Sequence, residues 1–242
     1  MPASRPDATP ARDGLRARLT AIFEALNGGY GAETWHWDAT HVRGPMDVLA
    51  GAVLVQHTTW MNAERALETL RAAGALDPTA LARMAEDAIA TLVRVSGTPS
   101  IKARRLQALA RAVEAHGRLA AFLAQPTAAL RAALLATHGI GPETADAILL
   151  YAAGRRVFEI DAYTKRLFRR LGLGPEDDGY DAWQAWFHDA LGTEGEAEPF
   201  QRYHALIVLH GKARCRARPR CEGCVVGEWC AYARGSRVAG SG

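Results

Sequence analysis

The chain has 242 residues, 49% of them hydrophobic, and its 29 basic and 26 acidic side chains leave a net charge of +3. That length and apolar content support one large or two small domains with a sizeable core. No stretch has the length and charge-free character of a membrane span, and the small net charge means that any nucleic-acid surface must be local.

The first dozen residues, rich in Pro, Ala and charge, read as a disordered tail. They contain no apolar core ahead of a cleavage site, so a reducing, cytoplasmic setting is expected. Leu15, Leu19, Ile22, Phe23 and Leu26 then form the apolar stripe of a helix that Asn27-Gly28-Gly29 is predicted to stop. Helices follow at 45–55, 59–73, 78–84 and 86–95, then at 102–116, 119–123, 127–137 and 142–153, and finally at 162–171, 180–191 and 199–209. Alternating strand patterns are essentially absent, so the fold is predicted to be all-α.

Three features carry chemistry. The first is the run Leu134 to Asp146, where an apolar helix ends at Gly139 and Gly139-Ile140-Gly141 makes a turn. Pro142 then opens the next helix at its first position. Two glycines permit positive φ and close approach, and the exposed N–H groups of the new helix form an anion site. A helix-hairpin-helix device that grips a DNA phosphate without reading a base is built this way, although a plain helix–helix turn would use the same residues. The second feature is Asp161, at the start of another helix. A carboxylate is an excellent N-cap there. The same helix terminus would also keep it ionised, able to stabilise a sugar cation or to activate water as an N-glycosidic bond breaks.

The third feature is the set of four cysteines, Cys215, Cys221, Cys224 and Cys230, which are all the cysteines of the chain. Cys221 and Cys224 form a CxxC. Four thiols in one short stretch suit a [4Fe–4S] cluster or a tetrahedral zinc, and in a reducing compartment they are metal ligands rather than two disulfides. Lys212, Arg214, Arg216, Arg218 and Arg220 run through the same stretch with no acid before Glu222. A metal-fixed loop holding these cations is a platform for backbone phosphates.

Gly139-Ile140-Gly141, Asp161 and the four cysteines, in that order, resemble the helix-hairpin-helix (HhH-GPD) DNA glycosylases of the endonuclease III superfamily, from about Pro45 to Cys230. The resemblance implies two helical domains with double-stranded DNA bound in the cleft between them. A six-helix domain over 43–156 would carry the hairpin. A discontinuous domain, 13–42 with 157–234, would bear the cluster, leaving tails at 1–12 and 235–242. It implies Asp161 as the catalytic carboxylate and a [4Fe–4S] cluster on the four cysteines. Gln56 would plug the duplex when a damaged nucleotide swings out. Gly139, Gly141, Lys165, Lys212, Arg216 and Arg218 would join Gln56 and Thr98 at the DNA. A monomer, cytoplasmic and associated with a bacterial nucleoid, is the matching expectation.

Departures from the family pattern sharpen the reading. Strand-cleaving members carry a lysine where this chain has Glu143, and glutamate cannot form a Schiff base with the sugar. A monofunctional enzyme is therefore expected. The gap from Cys215 to Cys221 is one residue short, which keeps zinc open. Thr98 stands where many relatives wedge a larger apolar side chain. Trp35-His36-Trp37, Gln56 to Trp60, Gly141 to Tyr151 and Asp161-Ala162-Tyr163 are similar to a bacterial subgroup that excises 3-methyladenine. Trp60, with Trp35 or Trp37, would wall its base pocket, joined by His57, Tyr163 and Glu143. Alkylated purines are cationic with weakened glycosidic bonds, so aromatic faces select them and little acid catalysis is needed. Removal of oxidised pyrimidines, and DNA binding without catalysis, are the rival expectations.

Overall fold

The computed structural model describes residues 9–33 and 42–239. Every regular element among them is helical: α1 Thr9–Tyr30, α2 Pro45–Leu54, α3 Trp60–Ala72, α4 Pro78–Arg83, α5 Glu86–Leu92, α6 Pro99–Glu114, α7 Leu119–Leu123, α8 Thr127–Leu135, α9 Pro142–Ala147, α10 Ala162–Leu171, α11 Tyr180–Leu191, α12 Glu198–Ala213 and α13 Ala231–Ala239. A 3₁₀ turn covers Arg94–Ser96 and a π turn covers Ile148–Ala152. The chain divides into two compact units, Met1–Glu33 with Arg156–Gly242, and Thr34–Arg155.

The Thr34–Arg155 unit is built around α2, whose residues Met46 to Leu54 are all buried. A helix apolar on every side must be surrounded, and α3, α6, α9 and the π turn pack on it. Asp47 closes its first turn by accepting the Gly44 N–H at 3.1 Å and pairs with Arg71 at 2.9 Å. Among the described residues the unit holds eight α-helices where the resemblance implied six, four of them (α4, α5, α7 and α9) short pieces of five to seven residues.

The other unit has an aromatic core. Phe158 stacks on Phe187 with ring centroids 4.0 Å apart, and Phe168, Phe200 and Tyr203 close edge-on around them. The extended segment Val157 to Ile160 runs through this core. It is pinned by N–H donation from Phe158 to His188 Nε2 (2.9 Å) and from Ile160 to the Tyr180 oxygen (3.3 Å), while Gln184 donates to the Phe158 carbonyl. This anchoring sets the position of the residue that follows, Asp161.

Helix ends differ from the periodicity reading in four places. α1 begins at Thr9, within the expected tail, and passes through Asn27-Gly28-Gly29 to Tyr30. Its buried stripe packs on α12, with the Tyr203 hydroxyl donating to the Leu19 carbonyl (2.8 Å), and that packing outweighs the weak local propensity. α6 starts at Pro99, not Lys102, because proline at the first helical position fits the unpaired N–H there. The helix predicted to reach Ala153 gives way at Ile148 to a π turn closed by Ala153 donating to the Ile148 carbonyl. α13 occupies part of the expected C-terminal tail, with Ala233 buried and the helix packed on α10.

Candidate functional site

The hairpin runs from α8 through Gly139 to α9. Gly139 has φ +81°, and any Cβ there would run into the Arg105 side chain, so glycine is required twice over. Gly141 departs from the expectation. Its backbone is extended (φ −93°, ψ 178°), a conformation open to any residue, and nothing lies within 4 Å of where its Cβ would be. Its distinguishing property is the open space beside it at the start of α9. Behind the turn, Asp146 is fully buried and takes a two-pronged ion pair from Arg131 (2.8 and 3.1 Å), locking the second helix of the hairpin. Glu143 is exposed in the first turn of α9.

Gln56 belongs to this assembly. Its amide donates to Thr144 Oγ1 at 2.9 Å and toward the Gly139 carbonyl at 3.4 Å, while its carbonyl accepts from Arg105. His57 and Thr98 are both exposed and have φ of 55° and 43°, the positive values found at non-glycine positions among the described residues. Such backbone costs on the order of 1–3 kcal/mol and persists where the surroundings enforce it. Trp60, half-buried, opens α3 behind the Thr59 cap. Trp35 and Trp37 lie outside the described residues.

Asp161 caps α10, accepting the Thr164 N–H at 2.7 Å, and is only 9% exposed. Burial works to raise its pKa, but His204 and the Thr164 amide outweigh it and hold the carboxyl below its ordinary 3.8. His204, buried on α12, brings Nε2 to 3.6 Å from Asp161 and Nδ1 to 3.7 Å from Glu159. An imidazole can donate toward both carboxylates only as the imidazolium. Sequence reasoning missed His204; the available signal was a histidine amid the apolar residues of a helix. Tyr163 is half-buried against Gly211, with the Arg166 guanidinium 4.9 Å over its ring. Lys212, read as belonging to the cysteine loop, also feels Asp161. Desolvation lowers its pKa, and the carboxylate acts in the opposite sense. Lys165 is not a free cation: it donates to the Asp178 carbonyl at 2.6 Å and lies 3.7 Å from the Asp178 carboxylate.

The four cysteines are unbridged and line one cavity. No three Cys, His, Asp or Glu side chains among the described residues are gathered closely enough for a single metal ion. Burial, with neighbouring thiols, pushes the Cys224 thiol up. The loop is braced by Arg166 donating to the Cys215 carbonyl (2.8 Å) and by Arg170 donating to Cys215 Sγ (3.3 Å) and to the carbonyls of Arg216 and Ala217. His210, held neutral by burial and by Arg214 with a pKa lowered to about 4, lies between the Tyr30 hydroxyl (3.0 Å) and Cys224 Sγ (3.8 Å). Of the predicted cations, Arg214 donates to the Glu222 carbonyl in the loop and Arg216 to the Lys212 carbonyl at the end of α12. Arg218 is exposed.

Residues 50–189 match the HhH-GPD superfamily of base excision DNA repair proteins. A Methanocaldococcus jannaschii protein, named as a candidate DNA repair glycosylase, is 39% identical over 212 residues, covering 86% of this chain and 94% of its own. Endonuclease III of Sulfolobus acidocaldarius is 28% identical, over 78% of this chain and 83% of its own. Among solved structures, H. pylori 3-methyladenine DNA glycosylase (MagIII) bound to 1,N6-ethenoadenine is 27% identical with a TM-score of 0.67, covering 83% of this chain and 97% of its own. A non-covalent endonuclease III–DNA complex shares the fold, with a TM-score of 0.75 at 18% identity over 92% and 98% of the two chains.

Proposed function

The chain belongs to the HhH-GPD superfamily of base excision DNA repair proteins, and from that premise we propose that it is a monofunctional DNA glycosylase for alkylated purines such as 3-methyladenine. The observation that carries the reading is Asp161, a buried carboxylate kept ionised by His204 and the α10 terminus. As the C1′–N bond breaks, its electron pair leaves with the cationic purine, which departs neutral. Asp161 stabilises the sugar cation and takes the proton of the water that adds to C1′. The likeness to a 3-methyladenine glycosylase supports the choice of lesion.

On the Thr34–Arg155 unit, the amides at Gly139 and Gly141 grip a phosphate and Gln56 and Thr98 meet the duplex at the lesion. Lys212, Arg216 and Arg218 attract the backbone, and Lys165 serves chiefly to hold Asp178. Trp60, Tyr163 and His57, with Trp35, Trp37 and Glu143, are the candidate pocket residues. Cys215, Cys221, Cys224 and Cys230 would hold a [4Fe–4S] cluster. The four thiols line one cavity, and the family likeness favours a cluster over zinc there. When bound, the cluster supplies a rigid crosslink for the basic loop.

Absence of strand cleavage rests on Glu143 and on Lys102, whose buried ammonium is engaged with two carbonyls. A second reading is a lyase step through a Schiff base, for which Lys212, an exposed lysine whose pKa is lowered by partial desolvation and which feels Asp161, is the candidate amine. The test is incubation with methylated DNA and with duplexes containing oxidised pyrimidines, freed bases being measured before and after alkali. Release of 3-methyladenine with strands intact until alkali is expected, and Asp161→Asn should abolish it while retaining DNA affinity. Borohydride trapping on an abasic duplex identifies the lyase reading. Release of no base from any lesion overturns the proposal, and a broad visible absorption band distinguishes iron–sulfur from zinc.

A further inference from the structure

Lys102 is 1% exposed, and its described partners are two carbonyl oxygens, that of Leu54 at 2.7 Å and that of Ser96. Burial, assisted by Arg105, lowers its pKa to about 8. An ammonium placed in a core without a carboxylate is costly, and a methionine or leucine would fill the same space more cheaply. What the ammonium achieves is therefore to be sought in what it holds.

The two carbonyls are the ends of separate elements. Leu54 is the last residue of α2, two before Gln56, and Ser96 ends the 3₁₀ turn, two before Thr98. Terminal carbonyls of helical segments lack the usual donor from the next turn, and a cation there also complements the negative end of the helix. Each carbonyl is closely followed by a residue in strained left-handed backbone, His57 after one and Thr98 after the other. One helical turn along α6, Arg105 grips the Gln56 side chain. Two cations on one face of α6 thus organise both loops.

We infer that Lys102 is a positioning residue: by tying the end of α2 to the end of the Arg94–Ser96 turn, its ammonium makes Gln56, His57 and Thr98 a single preorganised element that engages DNA at the lesion. The inference rests on the reading above that these loops meet the duplex. Lys102 touches neither DNA nor the reacting atoms. Its contribution is to remove in advance the ordering cost of two loops.

The experiment compares the full chain, with its metal centre, as wild type, Lys102→Met and Lys102→Arg. Two quantities are read: amide exchange of residues 55–58 and 96–98, and affinity for a duplex with a tetrahydrofuran abasic analogue against an undamaged duplex. In Lys102→Met, exchange should rise in both segments together. Affinity for the abasic analogue should fall about tenfold, and that for undamaged DNA by less than about twofold. Lys102→Arg, which keeps donors, should recover most of the lesion preference. A merely structural role would weaken both duplexes alike as the melting temperature fell, and that result, or unchanged exchange in either segment, overturns the inference. If Lys102→Met does not fold, Lys102→Gln takes its place under the same outcomes. Gln56→Ala separates the failures. If it lowers lesion affinity and Lys102→Met does not, the coupling is wrong while the DNA contact stands; if neither does, the loops do not meet DNA and the inference falls with that reading.

Discussion

Replacing His204 with leucine removes the one described cationic partner that faces both Asp161 and Glu159. Breaking a buried pair from one side costs about 3–5 kcal/mol, and the Thr164 N–H that Asp161 retains argues for the lower end, about 3 kcal/mol at pH 7. The pH dependence follows from the signs. In the wild type the folded-state pKa of Asp161 lies below 3.8, so its stabilisation is present above 3.8 and is lost as pH falls through the lower folded value. Without His204 the largest remaining influence is burial, which works to raise the pKa against the Thr164 hydrogen bonds. Where burial prevails, ionised Asp161 opposes folding near neutrality, and protonation relieves that cost as pH falls through the raised value. The stability gap between wild type and His204→Leu should therefore be widest at pH 7 and narrow toward pH 5 in urea unfolding of the metal-loaded protein. In an Asp161→Asn background the same substitution should cost less, the remainder belonging to Glu159. Base release by His204→Leu should also fail at a higher pH on the acid side than in the wild type. A gap that is constant from pH 7 to 5 and fully additive with Asp161→Asn would refute the electrostatic account of the site.

The two hairpin glycines should respond differently. Gly139→Ala meets both left-handed backbone and the Arg105 side chain and should cost roughly 2 kcal/mol in thermal or denaturant unfolding. Gly141→Ala should change stability by less than about 0.5 kcal/mol. Its methyl group would stand in open space beside the turn proposed to grip a phosphate, so affinity for undamaged duplex, measured by fluorescence anisotropy, should drop about tenfold. For the buried pair behind the hairpin, Arg131→Met should cost more than Asp146→Ala, up to about 5 kcal/mol, because Asp146 is wholly buried while Arg131 is 26% exposed and can turn to water. The double variant Arg131→Met/Asp146→Leu should recover part of that loss.

Much of this architecture is legible in the sequence because its cues are local. Asp161 before an apolar-periodic run marks the start of α10, and Gly172 and Gly192 end α10 and α11 where expected. The hairpin, Asp161 and the cysteine quartet stand out as motifs for the same reason. What failed to show were features decided across the fold. The Asn27-Gly28-Gly29 stop yields to packing of α1 on α12. The positive φ expected at Gly141 is absent because Gly139 alone makes the turn. Lys165, one turn after Asp161, is claimed by Asp178, an acid from the following loop.

Lys102 shows how one boundary error hides a site. With the helix begun at Lys102 itself, the lysine sits at a frayed end and reads as a solvated loop cation. With the helix begun at Pro99, Lys102 falls on one stripe with Leu106, Leu109 and Val113, all fully buried. Those positions follow the i, i+4, i+7, i+11 spacing of a core-facing helix. The apolar period therefore demanded that this lysine point inward, where an ammonium survives only by finding oxygen. In a chain that otherwise prefers arginine, a lysine on the buried stripe is itself a signal: its slender stem carries a compact ammonium through the core to two carbonyls.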